Sequence, residues 1–156
     1  MGQHFCNTAA VHELLQRLLR RGPKFGISRG VGVFGTAADG PALTQLLGPS
    51  AEFAGWASDH GVMLSGSPDT LAAIEARLPN WQASEAAPML GNELGVYLGS
   101  CIVRHVAGAE WRVWRNGHPV VRLPSGRDLD VVDVVHRRLT NGEPSLAATF
   151  QSAATD

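Results

Sequence analysis

The sequence lacks several features that mark special classes of protein. It has only two cysteines, Cys6 and Cys101, and no Cys-x-x-Cys pair, so neither a disulfide framework nor structural zinc is indicated. No apolar run approaches the roughly 20 residues of a membrane-spanning helix. The start, Met1–Cys6, has neither the basic nor the apolar region of a secretory signal. We therefore expect a cytoplasmic protein without a membrane partner.

The sequence also lacks an excess of charge of either sign. Its 13 basic and 14 acidic residues give a net charge of −1, so no general attraction to nucleic acid is expected. Hydrophobic residues make up 44% and charged residues 17% of the 156 positions, which excludes a disordered polar chain. A chain of this length fits one domain with a normal core. The composition predicts a single domain over residues 1–156 that does not bind nucleic acid.

Hydrophobic spacing and turn residues predict an α+β order of elements. An amphipathic helix is expected over Thr8–Arg21, and short glycine-rich strands over Phe25–Thr36. The elements expected after these are helices over Pro41–Leu47, Ser50–His60 and Ser67–Leu78, a short strand at Val62–Leu64, a central helix over Met89–Val106, a hairpin over Glu110–Leu123, and helices over Leu129–Leu139 and Glu143–Ala153. Ser67 is expected to cap the helix that it opens, and Asp128 or Asp130 the helix after the hairpin.

The central helix has a row of glycines beside a row of leucines. Gly91, Gly95 and Gly99 recur at every fourth position, and each costs about 0.8–1 kcal/mol relative to alanine inside a helix. Three glycines in one row of a helix therefore indicate that small residues are needed on that face. The row predicts that another part of the chain packs closely against this helix.

The hairpin is predicted from Asn116-Gly117, the dipeptide that favours a two-residue type I′ turn. In that register Trp111 faces Arg122, and Val113 faces Val120. A tryptophan beside an arginine would form a cation–π pair.

The two hairpin tryptophans are candidates for binding a partner. Trp111 and Trp114 are three residues apart, so they lie on opposite faces of the ribbon. If one layer covers the ribbon, one tryptophan is left for a partner, and tryptophan is enriched at interfaces. Trp111, Trp114 and Arg122 are therefore the predicted binding residues.

Residues 90–150 carry a recognisable pattern. Its parts are Leu94-Gly95-Val96-Tyr97-Leu98-Gly99 with Ile102 and Arg104, then Trp111, Leu123-Pro124-Ser125-Gly126-Arg127, Asp130, and Asn141-Gly142-Glu143 with Ser145-Leu146-Ala147. With this LGxYLGxxIxR helix and tryptophan hairpin, the chain resembles a family of small uncharacterised domains common in actinobacteria. It departs from the pattern after Asp130, where such domains continue Pro-Phe and this chain continues Val-Val. The resemblance implies an α+β fold and no known activity.

One row of the central helix carries groups suited to catalysis. Glu93, Tyr97, Cys101 and His105 follow each other at i+4 spacing, and a Cys–His pair one turn apart could share a proton as nucleophilic catalysis requires. The same helical wheel places Cys101 among leucines, where burial raises the pKa of a thiol. Core packing is therefore the favoured interpretation of this row.

Other candidate acids and bases lie nearer the start of the chain. Asp59 and His60 are adjacent, and neighbours on a helix do not face each other; His60 is expected as a helix C-cap. Asp39 is either an exposed carboxylate or the cap of the helix at Pro41. The glycines at 30, 32 and 35 spell GxGxxG, but Asp39-Gly40-Pro41 interrupts the helix that a dinucleotide site needs. We expect no cofactor and no metal.

Two functional hypotheses follow. The leading one is a non-catalytic binding or accessory protein that acts through a protein partner or as a homo-oligomer. The alternative is a small cofactor-free enzyme, or enzyme subunit, of secondary metabolism with a small-molecule substrate. Its general base would be one of the aspartates or histidines, and its candidate residues are Asp39, Asp59, His60, Cys101 and His105.

Overall fold

The computed structural model describes residues 43–44, 46–78 and 87–156. The predicted helix over Thr8–Arg21, the glycine-rich strands, and residues Cys6 and Asp39 lie outside this part of the chain. Of the helix expected over Pro41–Leu47, Leu43, Thr44 and Leu46 are described and are helical.

The described residues form five helices and a three-stranded antiparallel sheet, which confirms the predicted α+β class. The elements are α1 (Ala51–Asp59), α2 (Pro68–Glu75), α3 (Ala87–His105), β1 (Glu110–Val113), β2 (Pro119–Arg122), β3 (Asp128–Leu129), α4 (Val131–Asn141) and α5 (Leu146–Ala154). The strand order in the sheet is β1-β2-β3. No helix in these described ranges is long and apolar enough to cross a membrane.

Helix boundaries follow the capping residues with one exception. Asp130 caps α4 by accepting a 2.8 Å hydrogen bond from the Asp133 N–H, as predicted, and Gly142 ends α4 with a φ of +82°, which glycine adopts without strain. Ser67 is the N-cap residue of α2, as predicted, but its side chain forms no capping hydrogen bond. Its hydroxyl instead lies 2.8 Å from that of Ser65, so only the position of the cap is confirmed.

The structure differs from the sequence prediction at several elements, among them a predicted strand and the starts of two helices. Val62–Leu64 is not a strand, because no strand among the described residues lies beside it to complete a ladder. The helix predicted from Leu129 begins at Val131, since Asp128–Leu129 pairs with β2 as a third strand. The last helix begins at Leu146 rather than Glu143, because Ser145 accepts the Ala148 N–H at 3.0 Å and fixes the first turn there.

The glycine row of α3 packs as the sequence predicts. A Cβ at Gly95 would lie 2.7 Å from the Cα of Val132 in α4, which is backbone and cannot turn aside. A Cβ at Gly99 would overlap the indole of Trp111. The missing side chains therefore let the start of α4 and the ring of a β1 tryptophan approach the axis of α3.

The hairpin register differs by one residue from the prediction. Trp114 donates its N–H to the His118 carbonyl at 3.0 Å, and the Gly117 N–H donates to the Trp114 carbonyl at 2.8 Å. The turn thus contains three residues and ends in Gly117 at a φ of +82°, the three-residue loop in which glycine takes the left-handed position. The dipeptide fits this turn as well as the two-residue one.

The new register changes which side chains are neighbours. Trp111 faces Val121, and Arg122 faces Glu110, so the predicted Trp111–Arg122 pair is wrong. Placing Val120 on the face of Trp111 is also wrong, because a shift of one residue reverses every side chain of a strand relative to its partner.

Candidate interaction site on the hairpin

The two faces of the hairpin are covered differently. Trp111 is 1% exposed and belongs to the main core, whereas Trp114 on the other face is 41% exposed. The prediction that the two tryptophans lie on opposite faces is confirmed. The face that carries Trp114, hereafter the outer face, also carries Arg112, His118, Val120 and Arg122, by their pairing along the ladder, and of these His118 and Val120 are buried.

Trp114 is held in place although it is exposed. Its Nε1 donates a 3.0 Å hydrogen bond to Oδ2 of Asp128 in β3. The same carboxylate accepts two bonds from Arg122, one from Nε and one from Nη2 at 3.1 Å. The Arg122 guanidinium and the Trp114 N–H hold the pKa of Asp128 below its usual range, while Asp128 raises the pKa of Arg122. The indole is therefore a fixed surface rather than a mobile side chain.

A buried histidine lies beneath this tryptophan. The rings of Trp114 and His118 are 5.8 Å apart between centroids, and His118 is 1% exposed. Nε2 of His118 lies 2.8 Å from Oδ1 of Asp130, but neither ring nitrogen forms a hydrogen bond of suitable geometry with a described residue. The same Oδ1 accepts the Asp133 N–H, and the imidazole lies close to this carboxylate without a well-directed hydrogen bond to it.

Arginines surround the exposed indole. Arg112 pairs with Glu110 at 2.6 Å, and Arg122 pairs with Asp128. Arg115, in the turn next to Trp114, is exposed and forms no ion pair with any described residue. The exposed indole is thus fixed in place and lies next to a cation, Arg115, that pairs with no described carboxylate.

A family model described as "Family of unknown function (DUF6278)" matches residues 16–156. The chain belongs to this family. The match extends well beyond the 90–150 stretch on which the sequence resemblance was based. No curated protein matches the chain, and no solved structure does so.

In this DUF6278 chain, the residues proposed for nucleophilic catalysis do not form a Cys–His pair. Cys101 is fully buried, and burial raises the pKa of its thiol to about 11, which keeps it protonated at neutral pH. His105, one turn further on, donates from Nε2 to the carbonyl of Gly66 at 2.9 Å. The thiol and the imidazole therefore contact different neighbours.

The candidates near the end of α1 are not assembled into a site either. His60 is exposed; its Nδ1 donates to the carbonyl of Trp56 at 2.8 Å, and its ring stacks on Trp56 with centroids 4.6 Å apart. This is the helix C-terminal role expected from the sequence. Asp59 is exposed, and neither residue is brought to Cys101 or His105 by any contact in the described structure. Asp39 lies outside the described residues.

The sequence reasoning missed the residues that support Trp114. The sequence pattern does not bring His118 and Asp130 together, because they are twelve positions apart and both β2 and β3 lie between them. Asp128 was read as a helix cap, whereas it anchors Trp114 and Arg122. Alternation along the correct register would have placed them on one face. In the described part of the chain no cluster of three or more His, Cys, Asp or Glu side chains could hold a metal ion.

Proposed function

We propose that this protein is a non-catalytic binding module whose outer hairpin face docks a protein partner through Trp114. The observation that carries the proposal is the 41% exposure of an indole that Asp128 fixes by a hydrogen bond. A rigid aromatic side chain loses little conformational entropy when it is buried by a partner. Binding energy at interfaces concentrates on such residues, with tryptophan and arginine prominent among them.

The charges around Trp114 define the chemistry of the partner. Arg115 pairs with no carboxylate of a described residue, whereas Arg112 is already paired with Glu110 and Arg122 with Asp128. A partner that brings a carboxylate can pair with Arg115 while an apolar or aromatic side chain covers the indole. We therefore propose a protein segment with an acidic residue close to a large apolar one.

A displayed library of random peptides selected on the immobilised protein tests this proposal. We expect the selected peptides to contain Asp or Glu near Trp, Phe or Leu. One selected peptide is then synthesised and titrated against the wild type and against Trp114→Ala, Arg115→Ala and Met63→Ala. Trp114→Ala should weaken its binding at least about tenfold, the effect of a hot-spot residue, and Arg115→Ala should weaken it less.

Met63→Ala is the matched control, because Met63 is an apolar side chain exposed to 86% outside the hairpin. It should leave peptide binding unchanged, and none of the three variants should lower the unfolding temperature much. Peptides without acidic residues, or binding that survives Trp114→Ala, would contradict the proposal. So would a concentration-dependent dimer that Trp114→Ala abolishes, because the occupant of the face would then be a second copy of the chain.

The alternative hypothesis, a small cofactor-free enzyme, has one observation in its favour, the His118–Asp130 contact of 2.8 Å. An Asp–His pair can remove a proton from a substrate. The substrate would have to reach an imidazole that is 1% exposed and lies under Trp114. The binding module is therefore the proposal that the geometry supports better.

We further propose that the protein works in the cytoplasm as an accessory to other proteins. The free, buried thiol of Cys101 suits a reducing compartment. The proposed kinship with actinobacterial domains rests on the LGxYLGxxIxR helix and the tryptophan hairpin, and we expect relatives with this pattern to keep an aromatic residue at the position of Trp114.

A further inference from the structure

A cavity of about 260 Å³ opens between α3 and the segments before α1 and α2. Pro49, Leu64 and Val103 form apolar walls, and Ser100, Tyr97 and Arg104 bring polar groups to it. None of these residues belongs to the hairpin, so the cavity is a feature separate from the outer face.

Arg104 is fixed at the edge of this cavity. Its Nη1 donates to the Ser65 carbonyl at 3.2 Å, and its guanidinium lies against the Cα of Gly66, where a Cβ would overlap it. Gly66 is itself held, because its N–H donates to the Tyr97 hydroxyl at 2.8 Å and its carbonyl accepts from His105. The guanidinium therefore has a defined position although the residue is exposed.

The charge of Arg104 is not neutralised by any described residue. Among the described residues its hydrogen-bond partner is a carbonyl, and no described group occupies most of its five N–H donors. The described residues that line the cavity include no carboxylate. Desolvation raises the pKa of the Tyr97 phenol, so this hydroxyl adds no negative charge at neutral pH.

From this arrangement we infer a binding site for a small organic carboxylate in the cavity beside Arg104. The carboxylate pairs with the guanidinium, whose planar fork matches it in two parallel hydrogen bonds. Ser100, whose Oγ donates to the Leu47 carbonyl at 3.2 Å, offers its oxygen lone pairs to polar atoms of the ligand. The apolar part of the ligand lies against Leu64 and Val103. The ligand class is thus a monocarboxylic acid with a short aromatic or aliphatic body.

Benzoate is the probe, and its neutral isostere benzamide is the comparison. Titration of the ¹⁵N-labelled full chain with benzoate should shift the amide signals of Gly66 and Ser100 and leave the Trp114 indole signal in place. Benzamide should bind at least about tenfold more weakly, because it cannot form the charged pair with Arg104. The same shifts should appear in Trp114→Ala, which would show that this site is separate from the proposed partner surface.

Arg104→Gln should weaken benzoate binding at least about tenfold. The matched control is Arg77→Gln, because the hydrogen bonds of Arg77 to described residues also go to carbonyls, those of His60 and Ala73, and Arg77 is not among the described residues that line the cavity. Val103→Phe, which fills the cavity and keeps the cation, should also abolish binding and provides the test if Arg104→Gln disturbs the 62–67 segment. Equal binding of benzamide, equal losses in Arg77→Gln, or full binding by Val103→Phe would overturn the inference.

Discussion

The two sides of α3 pack against their neighbours in different ways. On one side Gly95 and Gly99 remove side chains, so that the backbone of α4 and the ring of Trp111 come close. On the other side long polar side chains reach outward to another backbone. Glu93 accepts a 3.3 Å hydrogen bond from the N–H of Ser50, while Tyr97 accepts from the Gly66 N–H and His105 donates to the Gly66 carbonyl. One side depends on shape and the other on hydrogen bonds.

The difference follows from what each side meets. The glycine side meets a helix and a strand, whose backbone groups are already bonded within their own elements. The polar side meets residues 62–67, which form neither helix nor strand apart from the cap of α2, so their buried N–H and carbonyl groups need other partners. A polar row on a buried helix can therefore form hydrogen bonds to the backbone of an irregular neighbouring segment rather than bind a substrate.

Gly95→Leu should have the largest effect, because the new side chain meets the Cα of Val132 rather than a movable group. We expect a loss of about 3 kcal/mol or more in the free energy of unfolding, at the upper end for overpacking. Urea unfolding followed by circular dichroism measures it. Gly55→Leu is the matched control, because a Cβ at Gly55 in α1 meets nothing within 4 Å. Equal stability of the two variants would show that the glycine side is not close-packed.

Tyr97→Phe should come second, because it leaves the ring in the core and removes the hydroxyl that accepts from the Gly66 N–H and also bonds with the side chains of Thr70 and Cys101. A buried donor left without an acceptor costs about 1–3 kcal/mol. Thr140→Val is the control, since its exposed hydroxyl bonds to the His136 carbonyl within a helix. If the two variants lost the same stability, the buried bond from Gly66 to Tyr97 would contribute no more to the free energy of unfolding than an exposed bond within a helix.

A smaller effect should appear at alkaline pH. The pKa of Cys101 is about 11 in the folded protein, against an ordinary value of 9.0, so the unfolded chain releases this proton first. Stability from this group is therefore complete below pH 9 and is lost as the pH rises towards 11, by an amount on the order of 1–2 kcal/mol. Cys101→Ala should flatten this part of the pH profile in urea unfolding. A profile of wild-type shape in that variant would assign the loss to other groups.

The sequence predicted what depends on local spacing and missed what depends on distant partners. The close packing at the glycine row of α3 is confirmed, and Asp130 is the one of the two proposed aspartates that caps α4, because each feature is fixed within a few residues. The core packing expected of the Glu93–His105 row is confirmed for its buried members, Tyr97 and Cys101. The bond from His105 to the Gly66 carbonyl was not predicted, since that carbonyl lies 39 residues away. Nothing in the spacing of a row tells whether its groups face a substrate or a backbone.

The hairpin shows the same limit at short range. Asn116-Gly117 located the turn but not its length, because glycine at a positive φ serves both the two-residue and the three-residue loop. The one-residue shift moved Arg122 away from Trp111 and placed it on the face of Trp114, where both side chains bond to Asp128. The candidate interaction site was therefore predicted as a pair of tryptophans with an arginine, without the arrangement that fixes the exposed one.

His105→Ala should have the smallest effect of the series, because it removes a bond to the Gly66 carbonyl at a residue that is exposed to solvent. Water can replace the imidazole there, so we expect a loss of about 0.5–1.5 kcal/mol, below that of Tyr97→Phe. His60→Ala is the matched control, as His60 also bonds to one carbonyl from an exposed position. The informative measurement is amide hydrogen exchange rather than global unfolding alone. His105→Ala should speed exchange at Gly66 and its neighbours and leave the amides facing the glycine side of α3 protected, whereas His60→Ala should change neither. Uniformly faster exchange in His105→Ala would mean that the two sides of α3 open together. The two sides would then differ in their contacts but would not unfold independently of each other.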